Sequence, residues 1–390
     1  MRDAANPYAA AHIQVWEGRE AIRKRPGMYV GSTSERGLHH QVFEVSDWAV
    51  NEVLAGHAGR VDVALECDGC VRVAIDGPGI PVEAAGHTGE PSLEELLTRM
   101  YTGPRRGGRR SVEVGLFGMG PFVANALSSR LTGEVRREGV RWVQRFDRGA
   151  AVGPPSSEGP TTGTGTVIAF RPDADVFGTA VCSFDTLAEH FRTLAFLNRG
   201  LDISLTDRRP AGGPRSERFL FPGGAKDFVA FIAARAGTSE GTGVLGFAYE
   251  DPRIAGSVEV ALMWSHTFTG GIQSFANCVP TPGGGPHVVG FREGVAAAVN
   301  AFVQERQPLT RIDAGPGPDR FDDGLTAVVS VKLDRPEFEG STRGTLAHAE
   351  VRESVAPAVR DHLSTWLAAD PRRASAVVSR IATDGRAAGA

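Results

Sequence analysis

Between Leu38 and Phe170 the chain runs helix, hairpin, glycine loop, helix, glycine loop, helix, then three strands, and this order restricts the fold most. Leu38 to Leu54 places apolar Val42, Phe43, Ala49 and Val50 on a core-facing stripe at helical spacing. Val61–Leu65 and Val71–Ile75 alternate on either side of Asp68-Gly69, the pattern of a hairpin. The loop Asp76-Gly-Pro-Gly-Ile-Pro81 follows, then a helix over 92–100 with Glu94 and Glu95 in its first turn. A second glycine loop, Gly115 to Gly120, opens a helix that runs through Ala126, ahead of strands at 131–136, 140–146 and 164–170. A doubly wound parallel sheet would alternate strand with helix. The order found here predicts an α+β fold with helices layered on one face of a mixed sheet.

At 390 residues the chain has room for two domains. Pro222-Gly-Gly marks a boundary near residue 222, and strands near 257–264 and 325–332 with helices at 291–304 and 348–367 make a second block. The division expected is an arm at 1–16, a first domain at 17–221, a second at 222–382 and a low-complexity tail at 383–390. A formal net charge of −4 argues against bare DNA as the main partner, since phosphate binding needs a basic surface. Cys67 and Cys70 resemble half a zinc site, but no second pair accompanies them, so they read as reduced residues flanking a turn. No basic-then-apolar leader and no apolar run of membrane-spanning length is seen, which points to a cytoplasmic protein without a membrane partner.

One pair of residues carries chemistry. His40 and Glu44 lie four apart on the long helix, hence one turn above each other, and an imidazole beside a carboxylate is what a general base needs. Arg105, Arg106, Arg109 and Arg110 form a basic run in the glycine-rich segment before the second loop, able to receive an anion.

Ile22-Arg-Lys-Arg-Pro-Gly-Met-Tyr-Val-Gly31, Gly37-Leu-His-His-Gln-Val-Phe-Glu-Val-Ser-Asp47, Gly77-Pro-Gly-Ile-Pro81 and Asn125-Ala-Leu-Ser128 together resemble the ATPase part of DNA gyrase B. Gly271-Ile-Gln-Ser-Phe275, His287-Val-Val-Gly-Phe-Arg292 and Gly324-Leu-Thr-Ala-Val-Val-Ser-Val-Lys332 resemble that family's transducer domain. The resemblance implies a GHKL (gyrase, Hsp90, histidine kinase, MutL) ATPase-type α/β sandwich followed by a transducer of the ribosomal-protein type. It places Glu44 at the general base, with His40 supporting it. It places Tyr8 and Ile13 in an arm that reaches into a partner protomer, which implies a homodimer. Asp47, Asp76, Gly79, Ile80, Met119, Arg137 and Thr166 fall around the nucleotide pocket. Arg105 and Arg106 fall in the ATP lid.

The departures from the family pattern cluster at that pocket. Trp48 stands where the resemblance implies a magnesium-binding asparagine, and an indole offers a hard cation no oxygen. Ile75 stands in place of the aspartate that receives adenine, Phe117 in place of a histidine and Phe122 in place of a serine. Ser341-Thr-Arg343 replaces the Gln-Thr-Lys sensor of the terminal phosphate, with Arg343 still able to hold one. The expectation is therefore a degenerate nucleotide site with no cofactor and no metal, turned towards a hydrophobic small molecule. Glu44 and His40 would supply metal-free acid/base chemistry of the isomerase, cyclase or lyase kind, in bacterial secondary metabolism. Two alternatives stand beside it: an ATP-gated dimer clamp that keeps ATP and Mg, and a non-enzymatic partner of gyrase subunits.

Overall fold

A computed structural model of the chain describes residues 18–83, 91–100, 114, 119–237, 241–265, 270–306, 321–340 and 342–383. Helices α1 (Gly18–Lys24), α2 (Gly27–Val30) and α3 (Glu35–Leu54) lead into the hairpin β1 (Arg60–Leu65) and β2 (Val71–Ile75). The hairpin has the register expected from its alternation, Val61 opposite Ile75 and Leu65 opposite Val71. Cys67 and Cys70 are free thiols at its turn. Helices α4 (Leu93–Thr98) and α5 (Pro121–Ala126) precede strands β3 (Ser128–Arg137), β4 (Val140–Asp147), β5 (Ala150–Ala151), β6 (Ser156–Pro160) and β7 (Gly165–Pro172). Ser92 and Glu95 close a reciprocal cap on α4, which accounts for its abrupt start. The first block ends with α6 (Ala174–Phe177), α7 (Phe184–Leu197), β8 (Asp202–Asp207) and β9 (Arg215–Phe219).

Among the described residues these nine strands form one mixed sheet in the order β5-β4-β3-β7-β2-β1-β8-β9, with β6 on β4. Of its described pairings, β1 with β8 is the parallel one. Helix α3 lies on β1 and β2, and α7 on β8 and β9. Val42, Ala49 and Val50 of the stripe read from the sequence are buried, whereas Phe43 stays partly exposed and stacks on His190 of α7. The helix begins one turn earlier than its apolar pattern, at Glu35.

The second block opens with α8 (Ala225–Arg235), β10 (Leu245–Asp251), β11 (Gly256–Trp264), β12 (Gly271–Ala276) and β13 (Val279–Pro280). Helix α9 (Pro286–Arg306), β14 (Leu325–Leu333), β15 (Phe338–Glu339), β16 (Thr345–Leu346), α10 (Glu350–Ala369) and α11 (Pro371–Thr383) complete it. Its five-stranded sheet has the order β10-β11-β14-β12-β13. Helices α9 and α10 pack along each other over it. Gly290 and Gly294 permit that approach: a Cβ at Gly294 would stand 2.5 Å from the carbonyl oxygen of Ala356. The helix expected over 348–367 is real, but Asp370-Pro371 breaks the chain before α11, a separate helix the sequence reading did not resolve.

Two cores result. The larger holds α3, α5, α7 and the nine-stranded sheet, and it also takes in Ala225, Phe228, Val229 and Ala233 of α8 with Ala261, Met263, Phe275 and Val328 of the second sheet. The smaller lies between α9, α10 and the opposite face of the five-stranded sheet. Phe196 of α7 stacks on Phe221 at 3.8 Å and on Phe228 at 4.7 Å, so aromatic packing runs straight across the expected boundary. No helix among the described residues is long and apolar enough to cross a membrane.

Candidate active site

Glu44 is the centre of the site. It projects from α3, is 5% exposed, and its Oε2 accepts the backbone N–H of Met119 at 3.1 Å and of Gly120 at 2.8 Å. Gly120 has φ +66, a backbone state that glycine enters at little cost, and this turns the two amides towards the carboxylate. Burial raises the Glu44 carboxyl to about 7, and the charge of Asp47 pushes the same way. The two amides and the guanidinium of Arg343 pull it back down. A carboxyl poised near neutrality can both give and take a proton.

Asp47, one turn along α3, is 6% exposed, and its Oδ1 lies 3.1 Å from Nε2 of His190. His190 comes from α7 and stacks on Phe43 with ring centres 3.8 Å apart. His40 sits edge-on to Phe43 at 5.7 Å. Burial lowers the His40 imidazole below its ordinary value, with the charges of Arg36 and His190 acting in the same direction and Asp47 opposing. The foremost charged neighbour of Glu44 is thus Asp47, while His40 responds to Arg36, His190 and Asp47. His39, adjacent to His40, serves the fold instead. Its Nε2 accepts the N–H of Ser183 at 2.8 Å, which ties α3 to the start of α7.

The apolar replacements among the described residues are buried. Trp48 (5% exposed), Ile75 (8%) and Phe122 (4%) all belong to the larger core. Ile80, Met119 and Phe43 pack against that core while remaining partly exposed. Ile75 on β2 faces Thr166 on β7 across the ladder. Thr166 is buried, and its Oγ1 accepts the N–H of Ile80 at 3.1 Å. Arg137 donates from a guanidinium nitrogen to the Gly79 carbonyl at 2.9 Å. Gly79 has φ +78, and a Cβ there would meet the Arg136 carbonyl at 2.8 Å, so the loop shape depends on glycine. Asp76 is exposed, and its carboxylate accepts the N–H groups of Gly59 and Arg60 at 2.6 and 3.0 Å; it fastens the start of β1. Arg343, from the second block, is half-buried, with φ +53 and its guanidinium 5.8 Å from the Phe338 ring centre. Tyr8, Ile13, Arg105, Arg106 and Phe117 lie outside the described residues.

Two further groups belong here that the sequence reading missed. One is His190. The other is Asn51, whose side-chain amide exchanges both hydrogen bonds with the backbone of Val114, at 3.0 and 2.8 Å, and so pins the chain just before the second glycine loop. The apolar spacing of Phe184, Leu187, Ala188, Phe191, Leu194 and Ala195 after Ser183 signals α7. Nothing in the sequence signals that His190 meets a residue 143 positions away.

Comparison with known proteins agrees with this architecture. Residues 33–176 match the family described as histidine kinase-, DNA gyrase B- and HSP90-like ATPase, and residues 224–390 match DNA gyrase B. The crystal structure of the 43K ATPase domain of Thermus thermophilus gyrase B, in complex with an aminocoumarin, superposes with a TM-score of 0.78 at 31% identity. That match covers 95% of this chain and 96% of the other. This chain belongs to the DNA gyrase B family. The DNA gyrase B protein of Streptomyces coelicolor is 40% identical over 97% of the chain, and that of Haloferax lucentense 39% over 98%. The chain spans 57% and 60% of the length of these two gyrase proteins. The expected pairing of a GHKL ATPase domain with a gyrase B transducer is therefore the architecture present.

Proposed function

We propose that this gyrase-B-type protein no longer works as a magnesium-dependent ATPase, and that it binds a largely apolar small molecule on which Glu44 acts as general acid and base. The observation that carries the reading is Glu44 itself, buried, oriented by two backbone amides and held at about 7. The groups around it do not fit a magnesium nucleotide. Trp48 gives a cation no oxygen, Ile75 gives an adenine amino group no acceptor, and the Met119 and Gly120 amides already serve the protein's own carboxylate. A lost carboxylate contact to a base removes about 1–3 kcal/mol of binding. Conversely, fully burying an exposed apolar side chain contributes about 1.5–3 kcal/mol, and the partly exposed Phe43, Ile80 and Met119 each offer a ligand a fraction of that. Isomerisation, cyclisation or elimination needs a proton moved and no metal, which a single tuned carboxyl can supply. The chain would act in the cytoplasm as a homodimer joined through residues 1–16, without DNA.

Two measurements test this. Calorimetry with Mg-ATP and with a non-hydrolysable analogue should show no binding, and micromolar affinity would overturn the proposal. Mass spectrometry of the small molecule that copurifies supplies a ligand for turnover assays. With it, Glu44→Gln should lower turnover by at least about a hundredfold while leaving affinity nearly unchanged.

A second reading, a non-enzymatic partner of gyrase subunits, is favoured by one feature. Trp48, Ile75 and Phe122 are packed into the core rather than displayed to solvent. Co-elution with a gyrase protein, combined with unchanged turnover in Glu44→Gln, would select it.

A further inference from the structure

Glu44 and Asp47 are two acids on one side of α3, each at most 6% exposed. Two carboxylates in a shared low-dielectric space cannot both be charged cheaply, and the better-partnered one keeps its charge. Their partners differ in kind. Glu44 has two neutral backbone amides, while Asp47 has the imidazole of His190 at 3.1 Å, a group able to become a cation. The imidazole is held by ring contacts. It stacks on Phe43 at 3.8 Å, meets the edge of Phe191 at 5.7 Å, and its backbone lies mid-helix in α7. The other charged groups on α3 that bear on the cluster are Arg36, His39 and His40, and Arg343 bears on Glu44 from the second block.

We propose that His190 is a positioning residue: by fixing the Asp47 carboxylate beside Glu44, it makes Glu44, of the two acids, the one that carries the exchangeable proton. The functional meaning rests on the acid/base role given to Glu44 above, but the arrangement of protons can be read without any turnover. Helix α7 thereby acquires a chemical role in addition to its packing against β8 and β9. Among the imidazoles on or against α3, His190 is the one in contact with Asp47, and through Asp47 it decides where the proton resides.

The test is infrared difference spectroscopy of the full chain, following the C=O stretch of protonated carboxyls from about pH 5 to 9. Isotope labelling of glutamate alone, then of aspartate alone, assigns the bands. Wild type should show one near-neutral band, from glutamate, that disappears in Glu44→Gln. Asp47→Asn should move its midpoint down by about one pH unit, because a like charge has gone. In His190→Gln the band should divide between glutamate and aspartate. His190→Phe keeps an aromatic ring against Phe43 and should give the same division, so a folding defect in one variant leaves the other to decide. A spectrum unchanged from wild type in both folded His190 variants, or an unmoved midpoint in Asp47→Asn, would overturn the proposal. Should Glu44→Gln retain turnover while the bands divide as described, the catalytic reading fails and the positioning role of His190 stands.

Discussion

Glu44 in the ATPase-type domain and His287 in the transducer are both deeply buried, and burial drives both towards the neutral form with opposite consequences. The His287 side chain is fully enclosed. Its Nε2 lies 3.1 Å from Thr281 Oγ1, which lies 2.8 Å from Ser274 Oγ, and burial lowers the imidazole to about 4. It is thereby removed from titration at ordinary pH and acts as a fixed link between α9 and the segment after β13. Glu44 is moved by burial in the other direction, and that brings it to about 7, into the range where it exchanges protons. Desolvation thus retires a histidine and activates an acid. Burial alone does not set whether a group exchanges protons near neutrality; the ordinary value it starts from and the direction of the shift do.

The largest effects expected from this comparison are on stability against pH. For Glu44 the folded value exceeds the unfolded one, so its contribution is full below about 4.5 and is lost as pH rises through about 7. Wild type should lose up to about 3 kcal/mol relative to Glu44→Gln across that window, measured by urea unfolding at a series of pH values. For His287 the folded value is lower than the unfolded one. Its contribution is full above about 6.5 and is lost as pH falls towards about 4. The same titrations should show an acid-side loss of up to about 3 kcal/mol that His287→Gln removes. Curves for the two variants that run parallel to wild type would break the comparison. A smaller effect sharpens it: Thr281→Val should cost about 1–2 kcal/mol by leaving His287 Nε2 without its partner, with little change in the Glu44 window.

Much of the fold is legible in the sequence. The β1–β2 register follows from strict alternation around Asp68-Gly69, and most of the buried face of α3 from the spacing of Val42, Phe43, Ala49 and Val50, of which Phe43 turns to His190 instead. The glycine motifs identify the family because they specify backbone shapes, such as Gly79 against the Arg136 carbonyl. The site is only half legible. Glu44 falls where the family pattern puts its general base, and the apolar residues at 48, 75 and 122 stand out against that pattern. The partner of Asp47 does not, because periodicity describes one element at a time and His190 arrives from a different helix. Asp76 shows the converse: a carboxylate in a motif loop whose observed hydrogen bonds go to the start of β1.

The larger core passes without interruption from α7 through α8 into the second sheet, and this has a practical side. A gene severed at Phe221 would give two polypeptides, each with a torn aromatic stack. The first would bare Phe196, and the second Phe228 and Phe275. Such fragments would be expected to precipitate rather than behave as independent modules, and proteases that nick exposed loops should leave the pair holding together. The two domains should therefore fold and be degraded as a single object.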